Sequence, residues 1–191
     1  MTRCLLFVVF MLAVGGHASA YCAPHTQQEI DQLTREIAND PNNGKLLQER
    51  GLFYATMGQK DKAIADYKAA LKFSSRKGEV IWSYGWALFD LDQYPQAVEV
   101  WKTAALMEKD HPISGRTGWI AYTLALGYWA ADDRENAFAY FTLAAKTHSD
   151  LRFRDSFMAF TDHWNQKEQA LGLQLFDAWN AEINKPGSHL W

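Results

Sequence analysis

Apolar positions in this chain fall into three patterns. Near the start comes one unbroken run, "CLLFVVFMLAV" from Cys4 to Val14. Through the middle, small and aromatic residues recur at helical spacing, broken by short polar segments such as "TMGQKDKA", "DLDQYPQA" and "AADDRENA". Toward the end, "DLRFRDSFMAFTDHW" places Phe153, Phe157, Phe160 and Trp164 on one helical stripe, and "KEQALGLQLFDAWNAEI" does the same with Leu171, Leu175, Ala178 and Trp179. Pro186 and Gly187 stop the last of these helices.

The middle pattern repeats. Gly51, Ala63, Tyr67 and Ala70 map onto Gly85, Ala97, Trp101 and Ala104, each 34 residues on. A third copy carries Ala125, Tyr128, Ala137, Phe141 and Ala144, shifted 40 residues from the second. The extra six residues fall in "KDHPISGRTG", where Pro112, Gly115 and Gly118 mark a lengthened loop. Glycine inside a helix costs about 1 kcal/mol relative to alanine, so its return at one register implies a neighbour that approaches too closely for a side chain. The alanine that precedes each aromatic by four residues sets a small and a large side chain on one helix face. Each copy is therefore expected to be a knob-and-notch pair of helices.

This period and skeleton resemble the tetratricopeptide repeat, whose pattern runs W-x2-L-G-x2-Y, then A-x3-F, then P. The chain departs from it at the leading Trp, replaced by Leu47, Ile81 and Ala121, and at Arg50 before the first glycine. Pro41 stands where a preceding repeat would close, which makes "QQEIDQLTREIANDP" the second helix of a half repeat. The resemblance implies an all-α fold, a right-handed α-solenoid of three helix-turn-helix repeats over 44–77, 78–111 and 118–150. A half repeat precedes them, and helices over 151–185 form a degenerate fourth repeat or a cap on the apolar end. The expected plan is a single domain over 27–185 with flexible 21–26 before it and a tail over 186–191.

Arg3, the apolar run and the small residues Ala18 to Ala20 read as a secretory signal peptide over 1–20, cleaved after Ala20. The run is too short to cross a bilayer comfortably, so no stable membrane anchor is expected after cleavage. Tyr21 before Cys22 argues against lipidation, since a lipidated cysteine would follow a small residue. Export across the inner membrane to the periplasm is the expected destination. Cleavage leaves 18 Lys and Arg against 22 Asp and Glu, a formal charge of −4, which argues against a nucleic-acid partner. Only Cys22 then remains, so an internal disulfide is excluded and pairing between chains is the one oxidative route to a homo-oligomer.

Catalytic chemistry finds no foothold. Asp132, Asp133 and Glu135 lie together, but at the turn between the two helices of a repeat, where Asp132 or Asp133 serves as N-cap and Glu135 meets the positive end of the helix dipole. The histidines are scattered, without metal-ligand spacing. No nucleophile elbow, phosphate loop or dinucleotide fingerprint is present. Neither an enzyme nor a cofactor or metal site is expected.

Function is expected instead in the groove that first helices line in proteins resembling this family. Positions three before, one after and four after the packing glycine give Gln48, Leu52 and Ala55 in the first copy. They give Trp82, Trp86 and Phe89 in the second, and Tyr122, Leu126 and Trp129 in the third, with Trp119 on the same stripe. A row of aromatics suits the hot spot of a protein or peptide interface; it equally suits a core covered by the C-terminal helices. The Lys, Arg and Asn clamp of chaperone-binding relatives is missing. The expectation is an exported adaptor or scaffold in envelope assembly or secretion. The alternatives are a toxin-neutralising immunity protein, a glycan- or peptidoglycan-binding module or enzyme accessory, and a self-associating structural subunit.

Overall fold

The computed structural model describes residues 26–108, 117–162 and 164–190. The signal peptide, Cys22 and most of the lengthened loop lie outside the described residues, as do the side chains of Trp119 and Phe160. Among the described residues the structure is all helical, in consecutive packed pairs. It divides into two compact units with the boundary between Ile113 and Ser114.

The N-terminal unit contains α1 (Gln27–Asn39), α2 (Gly44–Thr56), α3 (Lys60–Phe73), α4 (Lys77–Asp90) and α5 (Tyr94–Glu108). Thr26 opens α1 with a capping box: its hydroxyl accepts from the Glu29 N–H, and its own N–H donates to the Glu29 carboxylate at 2.7 Å. The buried stripe Ile30, Leu33 and Ile37 then turns α1 onto α2. Pro41 follows the end of the helix, where it lacks the N–H to continue one. Around α2, α3 and α4 the core gathers Leu47, Ala55, Ala63, Tyr67, Ala70, Val80 and Ala87.

The C-terminal unit contains α6 (Thr117–Ala130), α7 (Arg134–Thr147), a 3-10 turn (Ser149–Arg152), α8 (Arg154–Thr161) and α9 (Gln166–Ile183). Ile120 to Leu126 are all buried, so α6 is hydrophobic on every face and shows no amphipathic stripe. α9 starts on a second capping box, formed by Asn165 and Glu168, and packs against α6, α7 and α8. It supplies Leu175, Phe176 and Trp179 to the core, and Trp179 Nε1–H donates to Thr142 Oγ1 at 2.9 Å. The two C-terminal helices thus cover apolar surface of the third helix pair, the task that a solenoid cap performs.

The turns of the three copies share one geometry. Gly58, Asp92 and Asp132 occupy the same register and adopt φ of 71°, 58° and 61°. In each turn the next residue's N–H returns to a carbonyl of the last helical turn: Gln59 to Tyr54 at 2.8 Å, Gln93 to Leu88 at 2.8 Å and Asp133 to Tyr128 at 2.9 Å. This is the Schellman arrangement, which satisfies carbonyls that the helix end leaves orphaned.

Candidate functional site

The register of the first helices is set by the packing glycines. Gly51 leaves room for Tyr67, whose ring a Cβ would meet at 3.0 Å, and the Tyr67 hydroxyl exchanges a hydrogen bond with Ser83 Oγ at 2.8 Å. Gly85 is tighter still. Trp101 lies directly against the α4 backbone there, and its Nε1–H donates to the Trp82 carbonyl at 3.3 Å. In the third copy Ala125 fills this place and is fully buried.

Trp101 organises the aromatics around it. Residues three before, one after and four after a helical position ring that position on the helix surface, so Trp82, Trp86 and Phe89 ring the notch that Trp101 occupies. Their ring centroids stand 6.4, 4.9 and 5.8 Å from the Trp101 indole. Trp82 is 3% exposed and Phe89 is 0% exposed, the latter also packed edge-on against Tyr94 at 5.1 Å. Trp86 alone of the three is half-buried.

In the C-terminal unit Tyr122 is 1% exposed. Its ring meets Phe141 at 5.9 Å, Phe157 of α8 at 5.9 Å and Trp164 at 5.2 Å, and its hydroxyl sits over Gly172 of α9. Burial, and secondarily the Glu168 charge, push the Tyr122 hydroxyl well above the ordinary phenol range. Trp129 is half-buried at the far end of α6, stacked on Phe138 at 6.1 Å with the Arg134 guanidinium 5.4 Å from its ring centre. The side chain of Trp119 lies outside the described residues.

The structure therefore sorts five of the six aromatic candidates by access. Trp86 and Trp129 keep part of a ring toward solvent, whereas Trp82, Phe89 and Tyr122 are enclosed by their own unit's side chains. Counting from the packing glycine assigns a helix face but not what lies against it. For Trp82 and Phe89 that neighbour is Trp101, and for Tyr122 it is the C-terminal pair of helices.

The acidic cluster has structural duties. Asp133 is the N-cap of α7, its carboxylate accepting from the Asn136 N–H at 3.1 Å. Asp132 is the left-handed residue of the turn, and its side chain is 95% exposed, 3.9 Å from Arg134. Glu135 is exposed in the first turn of α7.

One polar group was not foreseen. Arg50 pairs with the buried Asp66 through two hydrogen bonds of 2.7 and 2.8 Å and reaches Thr34 Oγ1 at 3.2 Å, tying α1, α2 and α3 together. The hydrogen bond to Asp66 is the main reason the Arg50 guanidinium lies above its ordinary value. A signal was present: the second copy carries Tyr84 and Val100 at these two positions and the third carries Leu124 and Tyr140, so a charge on each helix replaces an apolar pair. Among the described residues no three His, Cys, Asp or Glu side chains converge on a metal-sized site.

The family model described as Tetratricopeptide repeat matches residues 44–76, which is the α2–α3 hairpin with its Gly51 notch and Gly58 turn. No curated protein matches the chain.

Proposed function

We propose that this protein is an exported adaptor that binds a protein or peptide partner through the aromatic positions of its first helices. Repeats of the type matched at 44–76 mediate protein–protein interaction, and their all-helical fold is typically a non-catalytic scaffold. The observation that carries the reading is a paired one: Trp86 and Trp129 occupy the expected groove register of two copies and stay half-buried while their neighbours are enclosed. A half-buried indole held by packed rings loses little freedom on binding and presents an apolar face. Trp82, Phe89 and Tyr122 serve this reading from beneath, as the packing that fixes the register of α4 and α6. The acidic balance of the mature chain favours neither nucleic acid nor an anionic membrane surface.

Export rests on Arg3, the Cys4–Val14 run and the Ala18–Ala20 site. Among the described residues no helix is long and apolar enough to cross a membrane. Its test is the mass of the protein recovered from a periplasmic fraction, with Tyr21 as the expected first residue; a retained Met1 in the cytoplasmic fraction would refute it. The binding role is tested by partner capture from a native envelope extract. Wild type is expected to hold a defined protein that Trp86→Ala/Trp129→Ala, with unchanged helicity, releases. Equal retention by both proteins would remove the aromatic register as the site.

A further inference from the structure

A second surface lies on the N-terminal unit, away from the aromatic register. Between α3 and α5 runs a cleft of about 480 Å³, open to solvent along one side and floored by Tyr84 and Leu88 of α4. The floor is apolar and braced: the Tyr84 ring stacks on Tyr67 at 5.1 Å with 22° between planes, and Leu88 is 2% exposed. Ile64 on one side and Val100 on the other continue the apolar lining.

The α3 side of the rim is charged in one sense. Lys60 and Lys68 flank Ile64 at four-residue intervals on one stripe of α3. Lys60 Nζ donates to Gln93 Oε1 at 2.5 Å, a neutral partner, and Lys68 has no ion pair among the described residues. On the opposite wall Glu99 is already paired with Lys102 at 2.9 Å. Two lysine charges therefore border the apolar floor on its α3 side, across from a Glu99 that is engaged by Lys102. Eight residues of helix separate them by about 12 Å.

We infer that this cleft binds an extended acidic peptide segment with one aliphatic residue midway between two carboxylates. In an extended chain, residues i, i+2 and i+4 point to one side and span about 13 Å, which matches the lysine separation. The aliphatic side chain rests on Tyr84 and Leu88 between Ile64 and Val100, and the carboxylates meet Lys60 and Lys68. An open cleft covers only one side of its occupant, which suits a peptide anchored by alternate side chains rather than a small molecule that needs enclosure.

The test uses the full chain and a fluorescein-labelled Asp-Ser-Leu-Ser-Asp peptide, followed by fluorescence polarisation and by amide shifts in the labelled protein. Saturable binding is expected, with shifts centred on Ile64, Tyr84 and Val100. Lys68→Glu, at an exposed position that leaves the fold intact, should weaken it at least tenfold, as should Asn for both Asp residues or Ser for Leu. The inference is overturned by an absence of saturable binding, by equal binding to Lys68→Glu, or by shifts centred on Trp86 and Trp129. A dimer in sedimentation that Lys68→Glu dissolves would assign the cleft to a second copy of the chain and would likewise overturn it.

Discussion

The indole of Trp101 occupies the space that a Cβ on Gly85 would need. The contact joins the two helices of one repeat and fixes the positions of Trp82, Trp86 and Phe89 around it. Gly85→Ala gains helix propensity worth about 1 kcal/mol but forces a fully buried indole to move, and overpacking of a core costs about 1–3 kcal/mol. Net destabilisation is expected in urea unfolding, and it should exceed that of Gly51→Ala, whose Cβ meets the Tyr67 ring at 3.0 Å. Trp101→Phe in the Gly85→Ala background, by shortening the ring, should recover part of the loss.

The turn residues respond in the opposite sense. Asp132 holds φ at 61° in a position where the first copy has Gly58. Asp132→Gly relieves a left-handed backbone at the cost of a more flexible unfolded chain, and a gain of up to about 0.5 kcal/mol in thermal unfolding is expected. Gly58→Ala should cost about 1 kcal/mol by the same reasoning. Partner capture should be untouched by Asp132→Gly, because Asp132 serves the turn through its backbone; loss of capture on that substitution alone would reopen a functional role for the acidic cluster.

Arg50 and Asp66 form a pair whose two halves cannot be removed separately without penalty. Asp66→Ala leaves Arg50, 16% exposed, without its carboxylate, and breaking such a pair costs about 3 kcal/mol. Arg50→Tyr together with Asp66→Val installs the combination of the second copy. That double variant is expected within about 1 kcal/mol of wild type, since apolar replacement of a buried ion pair is often neutral. Urea midpoints of the two variants decide it.

Two buried phenols set an alkaline limit. Burial raises the hydroxyls of Tyr67 and Tyr122 above the ordinary value of 10.0, Tyr122 well above it. Both are neutral in the native state, so their contribution is complete below pH 10 and falls away above it, as the unfolded chain gains by ionising first. Each can remove up to about 1.4 kcal/mol per pH unit. Urea midpoints between pH 8 and 11 should fall steeply past pH 10, and Tyr122→Phe should flatten that fall; an unchanged slope would mean the hydroxyl is not enclosed.

Much of the fold was legible because its causes are local. The 34-residue spacing from Gly51 to Gly85, the alanine–aromatic pairs and the polar turns each encode a contact within one helix pair, and α2–α3, α4–α5 and α6–α7 fall on the three copies. A cap on α7 from Asp132 or Asp133 was readable for the same reason, and the structure gives it to Asp133. What the sequence left open depends on residues far apart along the chain. Tyr122 is enclosed by Phe157 and Trp164 and takes its place over Gly172, fifty positions on, and no periodicity within α6 announces that. Arg50 stands out in the sequence only as a departure from the repeat pattern, and its partner Asp66 lies sixteen residues away on the next helix.

The most direct test of the adaptor reading is site-specific photocrosslinking in living cells. A photoreactive phenylalanine analogue is placed at Trp86 or Trp129, with the exposed Lys72 as control. The same partner protein is expected to be captured from both aromatic positions and not from Lys72. Crosslinks from Lys72 alone, or none from either tryptophan in a folded protein, would contradict the account.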